Sequence, residues 1–241
     1  MGKIKGSFAK TYDRFVKRET LLPPGLLDLI KSLNAEEILE FACGTGTVAV
    51  GLALEGFDIT GVDYSSDMLK AAKAKARQHR AKIKFILNDI SQIRLDRKFD
   101  LILCLGNTIP QFTSQASLQR LLANCKRHLS DGGHIIFQQL NYDRILKERP
   151  QTFAVNLDND VVRFKQYRYR KELIDFIVTV ADGSQIPPRM VISKIVLKPW
   201  KSSELTDALK KTGFKKIQLF ANYSGDKFDN KSNDMIVVAQ I

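Results

Sequence analysis

Long apolar runs are missing from this 241-residue chain: no stretch approaches the roughly 18 consecutive apolar residues that a membrane span needs. The opening residues Met1-Gly2-Lys3-Ile4-Lys5-Gly6 lead into no apolar core, so a signal peptide is not expected. The hydroxyl residue that follows Gly2 stands at position 7 rather than at the place myristoylation prefers. Cysteine is scarce. Cys43, Cys104 and Cys125 show no metal-ligand or redox spacing, and their odd number suits a reducing cytoplasm. Cys104 as a nucleophile is conceivable, but its apolar strand favours a small buried hydrophobe. Repeats and low-complexity segments are absent as well. What remains is an ordinary globular composition, 44% apolar, of a length that suits one domain with an insertion.

Acidic residues are outnumbered, giving a formal net charge of +12. Such an excess invites a nucleic-acid partner. Its distribution argues otherwise. Residues 1–142 carry 20 Lys and Arg against 14 Asp and Glu, and residues 143–241 carry 18 against 12, so neither part is a basic tail. The densest run is Lys70, Lys73, Lys75, Arg77, Arg80, Lys82 and Lys84, which at helical spacing reads first as a solvated face and second as an anion-binding one.

The richest stretch is Ile38-Leu39-Glu40-Phe41-Ala42-Cys43-Gly44-Thr45-Gly46-Thr47. A short apolar strand enters a glycine turn, and Thr47 opens the apolar helical run to Leu54. Strand, glycine turn and helix N-terminus together form a site for a nucleotide-like ligand. A second strand from Phe57 ends in Asp63, seventeen residues after Gly46, where an acid can accept ribose hydroxyls. Gly44-Thr45-Gly46-Thr47-Val48-Ala49 also fits the loose dinucleotide pattern. That pattern leaves Glu40 idle, whereas a cationic ligand would use it.

Strand and helix alternate five times up to Leu140: helix Ser66–Arg80 capped by Ser65, strand 82–88, strand 99–105, helix 115–129, strand 134–140. This rhythm predicts a parallel sheet covered on both faces, with ligands off the carboxyl ends of its strands. Glu40, Asp63, Asp89 and Asn107 all fall at such ends. Ahead of this core, Phe8, Tyr12 and Phe15 recur at helical spacing, so residues 7–19 read as a helix packed on the domain, with Tyr12 as half-buried anchor or lid. After a helix over 141–147, four segments (153–157, 161–170, 173–180 and 191–197) read as antiparallel strands. The alternating basic groups around Arg168 mark either an exposed sheet face or a cover that holds an anionic substrate. A helix capped by Ser202 or Ser203 runs over 204–212, and strands 214–220 and 235–241 close the chain.

The string Glu40-Phe41-Ala42-Cys43-Gly44-Thr45-Gly46-Thr47 resembles the first motif of the class I S-adenosylmethionine-dependent methyltransferases. Gly61-Val62-Asp63-Tyr64-Ser65 with Met68, Asn88-Asp89-Ile90, Phe99-Asp100-Leu101-Ile102 with Leu105-Gly106-Asn107, and Ser130-Asp131-Gly132-Gly133-His134 resemble the motifs that follow, and Ala42 replaces a commoner glycine. The resemblance spans almost the whole chain. It implies a Rossmann-like seven-stranded, mostly parallel α/β sheet with a reversed terminal hairpin, plus an antiparallel β insertion after strand five. Residues 1–34 would form a helical cap, 35–140 with 201–241 the core, and 141–200 the substrate cover. It implies S-adenosylmethionine as cofactor, S-adenosylhomocysteine as product, and no metal. Glu40 would meet the methionyl amine and Arg18 its carboxylate. Ala42, Cys43, Gly44 and Gly46 would line the cofactor with backbone. Asp63 and Tyr64 would take the ribose, Met68, Asp89 and Ile90 the adenine, and Leu105 and Gly106 would complete the wall.

The acceptor is less legible, because a sulfonium methyl needs alignment and desolvation more than acid–base power. After strand four no Asn/Asp-Pro-Pro-aromatic run marks an adenine or glutamine amino methylase. No Pro-Cys pair marks a cytosine C5 enzyme, and no His–Asp constellation a metal-assisted catechol enzyme. Leu105-Gly106-Asn107-Thr108, Lys10-Thr11-Tyr12-Asp13-Arg14 and the insertion resemble glycine/sarcosine N-methyltransferase-like enzymes. That likeness implies a small-molecule N- or O-acceptor, with Tyr12 and Asn107 at the reacting centre and Arg168 or Arg170 on a substrate carboxylate. RNA or protein methylation over the basic surface is the alternative, and a nicotinamide oxidoreductase or an inactive binding module comes third. The first reading goes with a monomer or homodimer, a small-molecule partner ranked ahead of nucleic acid, and no membrane partner.

Overall fold

The computed structural model of the chain describes residues 20–158, 160–184, 186–187 and 189–241. The expected N-terminal helix, with Tyr12 and Arg18, lies outside them. Helix α1 (Leu26–Ser32) leads to β1 (Glu37–Phe41), α2 (Thr47–Leu54), β2 (Asp58–Asp63), α3 (Ser66–Gln78), β3 (Lys84–Leu87) and β4 (Phe99–Cys104). A 3₁₀ turn (Ile109–Gln111), α4 (Gln115–His128) and β5 (Leu129–Leu140) follow. Then come α5 (Tyr142–Glu148), strands β6 (Thr152–Asp158), β7 (Val161–Tyr169), β8 (Ile174–Asp182) and β9 (Arg189–Leu197), α6 (Ser202–Thr212), β10 (Lys215–Phe220) and β11 (Asp234–Gln240).

The main sheet runs β10-β11-β5-β4-β1-β2-β3. Strands β1 to β5 pair in parallel, and β11 pairs antiparallel with both β5 and β10, as expected. Alternation along each buried strand splits the core in two. Leu39, Phe41, Ile102 and Phe137 face α4 and α6. Ile38, Leu101, Leu103 and Ile136 face α1 and α2. Burial on both faces explains why these strands read as continuous apolar runs.

Some boundaries differ from expectation for visible reasons. Helix α3 stops at Gln78, and Arg80 adopts a left-handed φ of 55°. Strand β5 pairs with β4 already at Leu129: Phe99 faces Leu129 while Leu101 faces His134, so Ser130 to Gly133 bulge out within the strand. Ser202 and Ser203 are not the cap of α6 but its first residues. Glu204 Oε2 accepts the Lys201 N–H at 2.9 Å and Asp143 Oδ2 accepts the Ser202 N–H at 3.0 Å, so carboxylates satisfy the free donors instead.

The insertion forms its own antiparallel sheet, β6-β7-β8-β9. One face of it, with Tyr167, Ile174 and Leu197, packs on Tyr142 and Ile145 of α5. The sheet therefore sits against the segment that leaves the end of β5. Its return is fastened to the loop after β4: the Lys198 N–H donates to Pro110 O at 2.7 Å and Trp200 Nε1 to Phe112 O at 3.0 Å. Among the described residues no helix is long and apolar enough to cross a membrane.

Candidate functional site

Parallel pairing sets the ends of β1 and β2 side by side: Glu40 faces Gly61 and Phe41 faces Val62. Glu40 is 4% exposed and Asp63 5%, so two carboxylates lie buried at adjacent strand ends. Asp63 ties the two turns together. Its Oδ2 accepts the Gly44 N–H and its Oδ1 the Ser65 N–H, each at 2.9 Å. Burial raises its pKa above the usual carboxylate value, and the backbone N–H groups of Ser65, Gly44 and Tyr64 pull partly back. The carboxylate keeps acceptor capacity for a ligand hydroxyl. Tyr64 stands beside it, half-buried, with its phenol pKa raised by that burial and by the Asp63 charge.

The turn itself is left-handed at Ala42 (φ 54°), Gly44 (φ 55°) and Gly46 (φ 71°). Ala42 holds a torsion that glycine holds more easily, at a cost of about 1–2 kcal/mol. The missing side chain of Gly46 has a packing reason. A Cβ there would come within 2.9 Å of Ala72 Cβ and 3.1 Å of the Phe85 ring. Gly61 leaves room for the same ring, at 2.9 Å. The turn thus rests on β3 and α3 from below. Lys75 of α3 adds a tie that spacing did not reveal: its ammonium donates to both the Thr45 and Thr47 hydroxyls. The other bases of its run, Lys70, Lys73, Arg77, Arg80, Lys82 and Lys84, are exposed.

At the end of β3, Asp89 Oδ1 accepts both the N–H and the hydroxyl of Ser91 at 2.8 Å, leaving Oδ2 for a ligand. Met68, Ile90 and Leu105 supply buried apolar surface nearby in the fold's strand-end row. At the end of β4, Asn107 is left-handed at φ 60°. Its Oδ1 accepts the Leu140 N–H at 3.0 Å and its Nδ2 donates to the Tyr142 hydroxyl at 2.9 Å. The N–H groups of Gly106 and Asn107 donate to Gln138 Oε1 at 2.8 and 3.1 Å, and Gln138 Nε2 donates to Asp234 Oδ1 at 2.7 Å. The Asn107 side chain therefore ties the β4 loop to the start of the insertion. Tyr142 and Gln138 were not visible as partners, since only pairing of β4 with β5 brings them there.

The arginines of β7 divide by strand alternation. Arg163, Lys165, Tyr167 and Tyr169 occupy the inner face, and Arg168 the outer one. Arg163 is 3% exposed, and burial lowers the pKa of Lys165. Arg170 is spent on Asp175, which is 2% exposed and lies 2.6 Å from its Nη2. Burial disfavours the thiolate of all three cysteines, with the Glu40 charge adding to it at Cys43 and Cys104. Among the described residues no three His, Cys, Asp or Glu side chains gather as metal ligands.

Buried acids at the first two strand ends, an open carboxylate oxygen at the third and apolar flanks make an acceptor set that fits a cationic nucleoside. A pyrophosphate would meet two like charges there, and the Lys75 ammonium that reaches the turn is occupied by threonine hydroxyls.

Parts of the chain, and its fold, are similar to known methyltransferases. Residues 38–133 match the family model described as "Methyltransferase domain". The chain is 35% identical over 135 residues to glycine N-methyltransferase of Rattus norvegicus, covering 50% of this chain and 46% of that protein. It is 32% identical over 121 residues to glycine/sarcosine N-methyltransferase of Aphanothece halophytica, covering 49% and 46%. The chain thus spans about half the length of the curated relatives it matches. Its fold superposes on an S-adenosylmethionine-dependent methyltransferase from Clostridium acetobutylicum with a TM-score of 0.85 at 21% identity, covering 98% of both chains. A sugar N-methyltransferase from a Streptoalloteichus species gives 0.74 at 20% identity, over 99% of this chain and 95% of that one.

Proposed function

We propose that this chain, which belongs to the class I S-adenosylmethionine-dependent methyltransferases, methylates a nitrogen or oxygen of a small-molecule acceptor. The observation that carries the reading is the pair of buried carboxylates, Glu40 and Asp63, at adjacent strand ends beneath the glycine turn. Bound over that row, S-adenosylmethionine supplies a methyl group activated by its sulfonium, and S-adenosylhomocysteine is left. Glu40 pairs with the methionyl amine. Asp63, aimed by Gly44 and Ser65, accepts the ribose hydroxyls, and Tyr64 flanks them. Asp89 Oδ2 takes the adenine amino group, with Ile90 and Met68 against its faces. Backbone of Ala42, Cys43, Gly44, Leu105 and Gly106 lines the rest.

The acceptor lies between the loop after β4 and the insertion, residues 141–200, which covers it. Asn107 and Tyr142 keep that cover in register with the cofactor row, so alignment rather than proton transfer is their contribution. The relatives named for glycine and glycine/sarcosine support a small acceptor, as does the structural neighbour named as a sugar N-methyltransferase. Three buried thiols suit a reducing compartment such as the cytoplasm. The test is transfer of a labelled methyl group from S-adenosylmethionine to a panel of amino acids, amino sugars, amines and small alcohols. Transfer to at least one class is expected. Saturable NAD binding with no response to S-adenosylmethionine overturns the proposal.

A further inference from the structure

Beside the register shift of β6 on β7, between Thr152 and Ala154, lies a cavity of about 480 Å³. It is lined by Arg149, Gln151, Thr152, Gln166, Arg168 and Ile177, with Tyr167 and Tyr169. Two guanidinium groups line it and no carboxylate does. Neither arginine makes an ion pair among the described residues.

A neighbouring cavity of about 280 Å³ shares Arg149 and Tyr169 and makes the contrast. It also holds Arg170, Lys171, Lys198 and Lys201, but Glu172 and Glu204 line it too. Lys198 lies 3.7 Å from Glu204, and Arg170 is bound to Asp175. Its positive charge is answered from within the protein. No lining carboxylate answers that of the larger cavity, and Asp175, opposite Arg168 in the β7–β8 register, is bound to Arg170.

The first arginine is also held in place. Arg149 ends α5 in a left-handed cap with φ 49°, and its N–H donates to Ile145 O. Its guanidinium stacks on the Tyr169 ring at 4.6 Å, and the Tyr169 hydroxyl donates to Pro150 O at 2.9 Å. A stacked guanidinium loses less rotamer freedom on binding, and its planar fork matches two oxygens of one anion. The side chains of Gln151, Thr152 and Gln166 add donors that no described residue uses.

We propose that this cavity binds a phosphate group, with Arg149 and Arg168 supplying the charge and the glutamine and threonine side chains the remaining donors. Two forked cations suit a dianion with three acceptor oxygens better than a single carboxylate. The site stands apart from the strand-end row, since none of its lining residues belongs to the strand ends that carry Glu40, Asp63, Asp89 and Asn107.

The test titrates inorganic phosphate, ribose 5-phosphate and ribose into the full chain by calorimetry, with and without saturating S-adenosylmethionine. Wild type is expected to saturate with both phosphates at a Kd of about 1 mM or tighter, unaffected by S-adenosylmethionine, and to ignore ribose. Either ranking of the two phosphates supports the site and tells a free phosphate from a phosphorylated organic ligand. The double substitution R149M/R168M should weaken binding at least tenfold, while K211Q/K215Q, which removes two exposed charges elsewhere, leaves it unchanged. R149K, which keeps the charge and loses the fork, should fall between. No saturation by about 20 mM, equal affinity in R149M/R168M, or displacement of phosphate by S-adenosylmethionine overturns the proposal.

Discussion

The turn after β1 and the inserted sheet are built on opposite logics. The turn is local. Glu40, Ala42, Gly44 and Gly46 lie within seven residues, and Asp63, the one distant member, arrives through parallel pairing of the very next strand. The insertion is held from outside itself. Tyr142 reaches Asn107, Trp200 reaches Phe112 and Lys198 reaches Pro110, all across the chain. A site made locally can keep one ligand while a cover attached at its margins changes around it. That division suits an enzyme family with one methyl donor and many acceptors.

Of substitutions in the two regions, the largest effect should come where they meet. Tyr142 is 1% exposed and packs on Ile174 and Leu197. Tyr142→Ala should cost about 3–5 kcal/mol of stability by denaturant unfolding, since it empties the joint and strands the Asn107 amide. A loss under about 1 kcal/mol would show that the insertion does not depend on this contact.

Asp63→Ala should come next, weakening S-adenosylmethionine binding about 10- to 100-fold, as expected for charge-assisted hydrogen bonds. Its pH dependence sharpens the point. Burial raises the Asp63 pKa, and hydrogen bonds from ribose favour the ionised form. Affinity should therefore fall with acidification starting above the ordinary aspartate range near 3.9. In Asp63→Asn it should be weaker and lack that component. An identical pH profile in both proteins would remove Asp63 from the ribose site.

Asn107→Ala should cost about 1–2 kcal/mol, because the Leu140 N–H loses its acceptor and the left-handed torsion remains. Acceptor KM should rise more than cofactor Kd, which steady-state kinetics with two varied substrates would read. Equal changes in both would place Asn107 in the cofactor row alone. The smallest effect is a gain: Ala42→Gly should relieve φ 54° and raise stability by about 1 kcal/mol, seen as a higher melting midpoint.

The same contrast decides what could be read beforehand. The acids and glycines of the turn stand at fixed spacings, so strand ends could be located from periodicity and the ligand's charge from Glu40. The seven-stranded sheet followed from the same alternation. Within the insertion, strands were legible but their faces were not. Alternation separates Arg163 from Arg168 and Arg170 in the chain but does not say which face is the inner one. Only the packing of Tyr167 on Tyr142 turns Arg163 inward and Arg168 outward, and only folding brings Asp175 onto Arg170. The Lys75 tie was hidden for another reason: six neighbouring bases are solvated, and nothing local marks the seventh as reaching the turn. Gly46 was legible as glycine but not for its cause, since Ala72 and Phe85 approach from later elements.

On the proposed reading, the acids at the strand ends hold S-adenosylmethionine. Calorimetric titration of S-adenosylmethionine into wild type and Asp63→Ala tests it most directly. Saturable one-site binding in wild type and at least tenfold weaker binding in the variant, with both proteins melting cooperatively, is the predicted result. No binding to wild type, or the same Kd in both, would contradict it.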